Sequence, residues 1–380
     1  MSDPTPASFF AIVSNAADGD LAVFRVDAST GHIEHVARHP AGEAAMPMAL
    51  SAGGTMLHAA TRAAKRTIVT YSVDSGTGDL TRLRTTSIAS SLAYLSLTPS
   101  GAWLLGASYG EHSVSLYRAA DIHANAQVEP FQVIEGIEHA HSIVASADGR
   151  FAYVASLGSD TVSCFAIVER AADARLELVQ KIRVEAGFGP RHLRFSPDGK
   201  TLYVSSEFRA TVAVFARDTE AGTLTARSVA PRAPVLAHLH DGRARPLVAG
   251  TAGTAGAQVD PSTLIWAADI QITPDGHFIF VAERTTSRLI GYRVTDNGSL
   301  DYAGYTDTET QPRGFRIDPS GRFLVACGEQ STHVAVYAID AESGALALLS
   351  RCEGGRGANW VEIIPQTPPI RRATSAQPTH

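Results

Sequence analysis

Arginine, histidine and glutamate recur at two fixed points of a repeated phrase in this chain. They form a set suited to acid/base work on an anionic substrate. Just before the first strand of each copy stand Met48, Tyr94, His141, Arg191-His192, Asp269, Arg313 and Asn359-Trp360. At the turn between the second and third strands stand Asn15, Arg62, Tyr109, Leu157, Glu207, Glu283-Arg284 and Glu329. An imidazole near its ordinary pKa of ~6.5 moves protons at neutral pH. A guanidinium stays charged and offers donors in a fixed fork. In an antiparallel meander both points fall at the same end of the sheet, so the two sets converge on one mouth. The competing reading is structural, with Arg and Glu simply pairing across the seams between repeats.

The elements that must position these residues come from the repeat. Its clearest copy is PRHLRFSPDGKTLYVSSEFRATVAVFARDTEAGTL from Pro190, with close copies from Ala267 and Pro312 and weaker ones near Pro47, Leu92 and His141. The turn glycines Gly54, Gly101, Gly149, Gly199, Gly276 and Gly321 lie 47, 48, 50, 77 and 45 residues apart. Within a copy, S/T-P-D-G reverses the chain because Pro presets φ and Gly accepts a positive one. Alternating runs rich in Val, Tyr, Phe and Thr then read as short antiparallel strands. Such a period predicts an all-β, seven-bladed β-propeller with four antiparallel strands per blade. Six copies carry the first turn. The seventh begins at its second strand (Phe9–Asn15), and Gly357–Pro365 parallels the inner strand Gly189–Pro197. The C-terminal strand is therefore expected to complete the N-terminal blade and close the ring.

Composition narrows the function classes. A net charge of −6 and 44% hydrophobic content fit a folded domain and argue against a general nucleic-acid binder. There is no apolar run long enough for a membrane span and no secretory h-region, so no membrane association and a cytoplasmic location are expected. The propeller is expected over residues 8–366, with a loose leader at 1–7 and a disordered tail at 367–380. Three cysteines (Cys164, Cys327, Cys352) read as reduced, packed thiols. The 77-residue interval holds an insertion, Val229–Trp266, which should lie on the face where blades connect. Its His238-Leu239-His240 could set two imidazoles on one side of a strand, but no Cys/Asp/Glu cluster accompanies them, so no metal is expected. Its GTAGTAG run lacks the G-K-[ST] ending of a phosphate loop. No cofactor is expected, and a closed ring is compatible with a monomer.

Three phrases carry a resemblance that covers roughly residues 8 to 366: WAADIQITPDG from Trp266, ETQPRGF from Glu309, and Gly189-Pro190-Arg191-His192. They resemble the propeller-type 6-phosphogluconolactonases, a family fold that also includes the carboxy-cis,cis-muconate cyclases. The resemblance implies hydrolysis of a sugar-acid lactone, 6-phospho-D-glucono-1,5-lactone, in the oxidative pentose phosphate pathway, with no metal. By position it implies catalytic roles for His141, Arg191, Glu207 and Arg284, with His139 as an alternative to His141. These four belong to the two sets already described. Arg313, His192, Asp269, Tyr109 and Arg62 are the expected substrate-binding residues. On this reading His141 or Glu207 activates the water, Arg191 faces the oxyanion, and Arg284 and Arg313 hold the phosphate. His192 is also compatible with packing alone. The chain departs from the family at Ala358-Asn359-Trp360, where members often carry Gly-Pro before the Trp. Two alternatives stay open: another lactone hydrolase or muconate-type cycloisomerase, and a non-catalytic interaction propeller, although the GH…WD signature of WD repeats is missing.

Overall fold

A run such as Phe278–Glu283 (FIFVAE) is apolar or buried at every position, as a strand in the middle of a sheet requires when both faces are covered. Runs such as Leu300–Asp307 instead alternate buried and exposed residues, as a strand at a solvent edge does. A computed structural model of the chain describes residues 8–170, 173–244 and 260–364. In it these runs form seven four-stranded antiparallel sheets. The inner strands are Ala358–Ile364 in blade 1, Ala45–Leu50 in blade 2, Tyr94–Leu97 in blade 3, Ala140–Ala145 in blade 4, Pro190–Phe195 in blade 5, Ala267–Ile272 in blade 6 and Pro312–Ile317 in blade 7. Each inner strand packs beside the next, and that of blade 7 returns to that of blade 1. The seven-bladed, four-strand architecture read from the repeat is therefore what the chain adopts.

Closure follows the expected route. The strand Ala358–Ile364 pairs antiparallel with Ser8–Asn15, setting Phe10 opposite Ile364 and Val13 opposite Val361. Ser14 Oγ donates to Asn359 Oδ1 at 3.1 Å across this seam. The core lies between blades, not within them. Between blades 4 and 5, for example, Phe151, Tyr153, Leu202 and Phe215 form one buried cluster, and burying each such side chain contributes roughly 1.5–3 kcal/mol. The Tyr153 hydroxyl then donates to the carbonyl of Gly222 at 2.6 Å, which satisfies the one polar atom the ring carries inward.

One backbone device matters for the site. Six of the seven inner strands carry a register shift near their start, at Met46-Pro47, His141, Arg191-His192, Ala268-Asp269, Arg313 and Asn359. A bulge leaves its extra residue outside the ladder and re-aims its side chain. The residue before several of these strands takes a left-handed conformation, as at His139 (φ 48°) and Gln311 (φ 53°). At Gly189 (φ 62°) a Cβ would also stand 2.6 Å from the Phe208 ring, so glycine is required there on two counts.

Two features depart from the reading of the sequence. A short helix, Ala119–Ala124, sits between the third and outer strands of blade 3. The described arms of the insertion are ordered by short 3-10 turns at Pro234–Leu236 and Pro261–Thr263. They are joined by a bridge between His240 and Leu264. Leu236 and Leu239 pack into the cluster between blades 5 and 6. His238 and His240 are exposed on either side of buried Leu239, off any strand. The GTAGTAG run, the leader at 1–7 and the tail at 367–380 lie outside the described residues.

Candidate active site

The bulges bring one side chain from each of six blades to a common level at the channel mouth: Asn359, Met46, His141, Arg191, Ala268 and Arg313 occupy equivalent positions. A second ring comes from the residue that follows each second strand. Its backbone N–H reaches back to the connection entering the same blade, as Glu207 does to Gly189, Arg284 to Trp266, Glu329 to Gln311, Arg62 to Ala44 and Leu157 to His139. Both rings meet at one face, as the meander requires.

Glu207 is the hub. Its Oε2 accepts from Arg191 Nε at 3.0 Å, and its Oε1 accepts from Arg284 at 2.7 Å. His141 Nε2 lies 3.9 Å from Oε2. Arg191, Glu207, Arg284 and His141 are all less than a tenth exposed. Charge-assisted bonds of this kind are short and strong, and a buried pair keeps its charges only when both partners are present. Burial, reinforced by Arg191, His192, Arg313 and Arg284, pushes the His141 pKa well below its ordinary value. The imidazole is therefore neutral at pH 7. Its Nδ1 is buried with no hydrogen-bond partner.

The remaining arginines divide into two groups. Arg284 commits Nε to the Trp266 carbonyl at 2.9 Å and one terminal nitrogen to Glu207 and to the Ala267 carbonyl. In this geometry it clamps Glu207, a role that the reading of the sequence does not assign to it. Arg313 and Arg62 are half-buried at the rim. Arg313 bonds Glu329 at 2.8 Å, and Arg62 makes longer contacts of 3.4 Å to Ser91 and to Met46 Sδ. Burial, followed by the charge of Arg313, lowers the Arg62 pKa to about 10, so the two cations stand close enough to repel.

Tyr109 stacks on His139 with centroids 4.2 Å apart and meets His141 edge-on at 6.1 Å. His139 bonds through Nδ1 to the Tyr109 carbonyl, so it belongs to the rim, and His141 points to the centre. His192 and Asp269 lie one level below the mouth, at equivalent positions of blades 5 and 6. They bond each other at 2.8 Å, Nδ1 to Oδ1. Neither stands at the level where His141, Arg191 and Arg313 meet.

Three residues read as mouth groups are placed differently. Asn15 and Glu283 fall one residue early. The Asn15 amide bonds Asp20, and Glu283 accepts from Trp266 N and from Thr286, so both stabilise turns. Met48 is core, and Met46 occupies its blade's mouth position. A third level of polar residues went unread: Arg194, Gln271, Arg316 and Glu362. Arg194 bonds Gln271 at 3.1 Å and the Tyr94 hydroxyl at 3.0 Å, and Arg316 pairs with Glu362. A visible signal existed, since these four share one column of the repeat where an apolar residue would be ordinary. Among the described residues no group of three or more His, Cys, Asp or Glu side chains is placed to hold a metal.

A closed propeller whose single mouth gathers a clamped carboxylate, a neutral imidazole and several guanidiniums defines a class of small-molecule enzyme that handles anions. The particular family follows from comparison. Residues 7–363 match the family model described as "Lactonase, 7-bladed beta-propeller", and the chain belongs to that family. Among its relatives, the 6-phosphogluconolactonase of Cronobacter sakazakii is 32% identical over 320 residues, covering 83% of this chain and 87% of the relative. That of Klebsiella pneumoniae is 30% identical over 348 residues, covering 91% and 93%. Among solved structures, the periplasmic gluconolactonase of Pseudomonas aeruginosa superposes with a TM-score of 0.77 at 22% identity, covering 95% of this chain and all of that one.

Proposed function

We propose that the protein hydrolyses a sugar-acid δ-lactone, 6-phospho-D-glucono-1,5-lactone, to the open acid, as the names of its relatives suggest. The observation that carries this reading is the pair of Glu207, held by two arginines, and a neutral His141 beside it. Water adds to the ring carbonyl while its proton passes to His141, a neutral imidazole beside Glu207. Glu207 is a weaker base because two guanidiniums stabilise its charge. It instead steadies the imidazolium that forms. Arg191 keeps its second terminal nitrogen without a partner among the described residues, and this donor meets the oxyanion. On collapse the bond from the carbonyl carbon to the ring oxygen breaks, and His141 returns the proton to that oxygen.

Arg313 and Arg62 form the phosphate subsite in this reading. Two half-buried cations that repel each other in the empty protein gain most from a dianion between them. The same anion would cancel part of the charge that depresses the His141 pKa, making the base stronger once substrate is bound. A cytoplasmic location belongs to the same proposal, since a phosphate monoester carries about −1.5 to −2 charge at pH 7 and does not diffuse through a bilayer. No helix among the described residues is long and apolar enough to cross a membrane.

The test is initial hydrolysis rate on 6-phosphogluconolactone against gluconolactone, each corrected for spontaneous opening. A kcat/KM at least ~10-fold higher for the phosphorylated lactone supports the reading, since one good charge-assisted contact is worth roughly that much. Equal rates would point to an unphosphorylated lactone, and no rate above background on either would point to a cycloisomerase or a binding module.

A further inference from the structure

We propose that Asp269 is a positioning residue for Arg191, acting through His192, and not a substrate ligand. A guanidinium can only donate. The 3.0 Å contact between an Arg191 terminal nitrogen and His192 Nε2 therefore requires Nε2 to be the acceptor, unprotonated. The ring proton must then sit on Nδ1, where it is donated to Asp269 Oδ1 at 2.8 Å. Asp269 thus selects one tautomer, and that tautomer presents the lone pair Arg191 needs.

The surroundings leave this arrangement little freedom. Asp269 Oδ1 also accepts from Ile270 N–H at 2.9 Å and from Arg194 at 3.5 Å, and Oδ2 accepts from Gln271 Nε2 at 2.9 Å. Tyr94 and Trp360 pack against the imidazole with centroids 5.1 and 5.9 Å away. Burial, followed by the Arg191 charge, lowers the His192 pKa to about 3, in keeping with a ring that stays neutral. Both ring nitrogens are committed, so His192 moves no proton in the reaction. With Nε on Glu207 and one terminal nitrogen on His192, the Arg191 plane is fixed at two points. Its remaining nitrogen then has a defined direction. The opposite tautomer would set N–H against N–H and turn the guanidinium away.

The test is Asp269→Asn. An amide nitrogen turned toward His192 favours the Nε2–H tautomer; turned toward Gln271, it leaves the Nδ1–H tautomer but meets a donor, so the selection is weakened. The expected result is kcat for 6-phosphogluconolactone reduced roughly 10- to 100-fold, the usual scale for an orienting partner, with KM changed less than about threefold. Nitrogen-15 spectra should show His192 as the neutral Nδ1–H tautomer in the parent protein and as a mixture in the variant. A folded variant with kcat within twofold of the parent would overturn the proposal. A rise in KM alone would also overturn it, showing that Asp269 touches substrate. If the variant does not fold, the parent spectrum decides, because an Nε2–H tautomer or an imidazolium at pH 7 is incompatible with the chain described. The kinetic arm rests on the lactonase reading. The spectroscopic arm does not, so the two can fail separately.

Discussion

Blades 4 to 7 and blades 1 and 2 share one backbone device and use it for different ends. In blades 4, 5 and 7 the bulged position carries His141, Arg191 and Arg313, all aimed at the mouth. In blades 1 and 2 the same position carries Asn359 and Met46. Asn359 spends its amide on the carbonyls of Ala45 and Gly357 and accepts from Ser14, so it knits the closing seam. One level down, the same arc supplies Tyr94 and Trp360 as an aromatic wall, opposite His192 and Asp269. The bulge thus frees one side chain at the mouth in six of the seven blades. What that side chain does depends on whether its neighbours across the channel are charged.

The sharpest way to break this contrast is at the hub. Glu207→Gln should lower kcat by about 10³-fold or more, because it removes the charge that steadies both Arg191 and a protonated His141. Glu207→Ala should also destabilise the fold by roughly 3–5 kcal/mol by leaving two buried guanidiniums unpaired. Steady-state kinetics and denaturant titration separate the two effects, and a fully active Glu207→Gln would dissolve the distinction between the arcs.

Next in size is the double change Arg62→Ala with Arg313→Ala. It should raise KM for the phosphorylated lactone about 10- to 100-fold and leave kcat/KM for gluconolactone nearly unchanged, given a few kcal/mol for charge-assisted contacts. Asn359→Ala probes the equivalent position in the other arc. Three hydrogen bonds at a buried site are lost, so about 1–3 kcal/mol of stability should go while kcat stays within twofold. A large loss of kcat with an intact fold would mean that blade 1 also carries chemistry.

The smallest effect concerns acid. His58, between blades 2 and 3, and His192, in the site arc, are both held at about 3 mainly by burial. Their folded pKa lies below the unfolded value near 6.5, so the unfolded chain binds more protons in that window. Their contribution is complete above pH 6.5 and is lost as pH falls toward 3, at about 1.4 kcal/mol per pH unit for each histidine. His58→Gln should make the fall in stability from pH 6 to pH 4 shallower by that amount without changing turnover at pH 7. An unchanged slope would show that His58 is not neutral in the fold.

The repeat made the sheet order, the blade count and the closing strand legible, because S-P-D-G turns and alternating runs are local signals. That His141, Arg191, Glu207 and Arg284 meet was legible too. Register was less so. A bulge displaces the alternation of an inner strand without leaving a mark in composition, which is why Met46 rather than Met48 reaches the mouth. Partnerships between blades were not legible. That Arg284 serves Glu207, and that Asp269 faces His192, depends on the angle at which neighbouring sheets meet. The helix Ala119–Ala124 is too short for periodicity to reveal.

The closing strand has a consequence for how the molecule is made. Ser14 and Asn359 are 345 residues apart in the chain, yet they share a hydrogen bond. Closing so large a loop costs little more than closing one of half the length, about 0.6 kcal/mol, but contacts this remote form late. Ala358–Ile364 is synthesised after every other strand. Until it docks, Ser8–Asn15 presents an open edge of unpaired backbone groups, a template for pairing with another nascent chain. The interval between the emergence of residue 15 and the arrival of residue 358 is therefore the period in which a chaperone would have most to do.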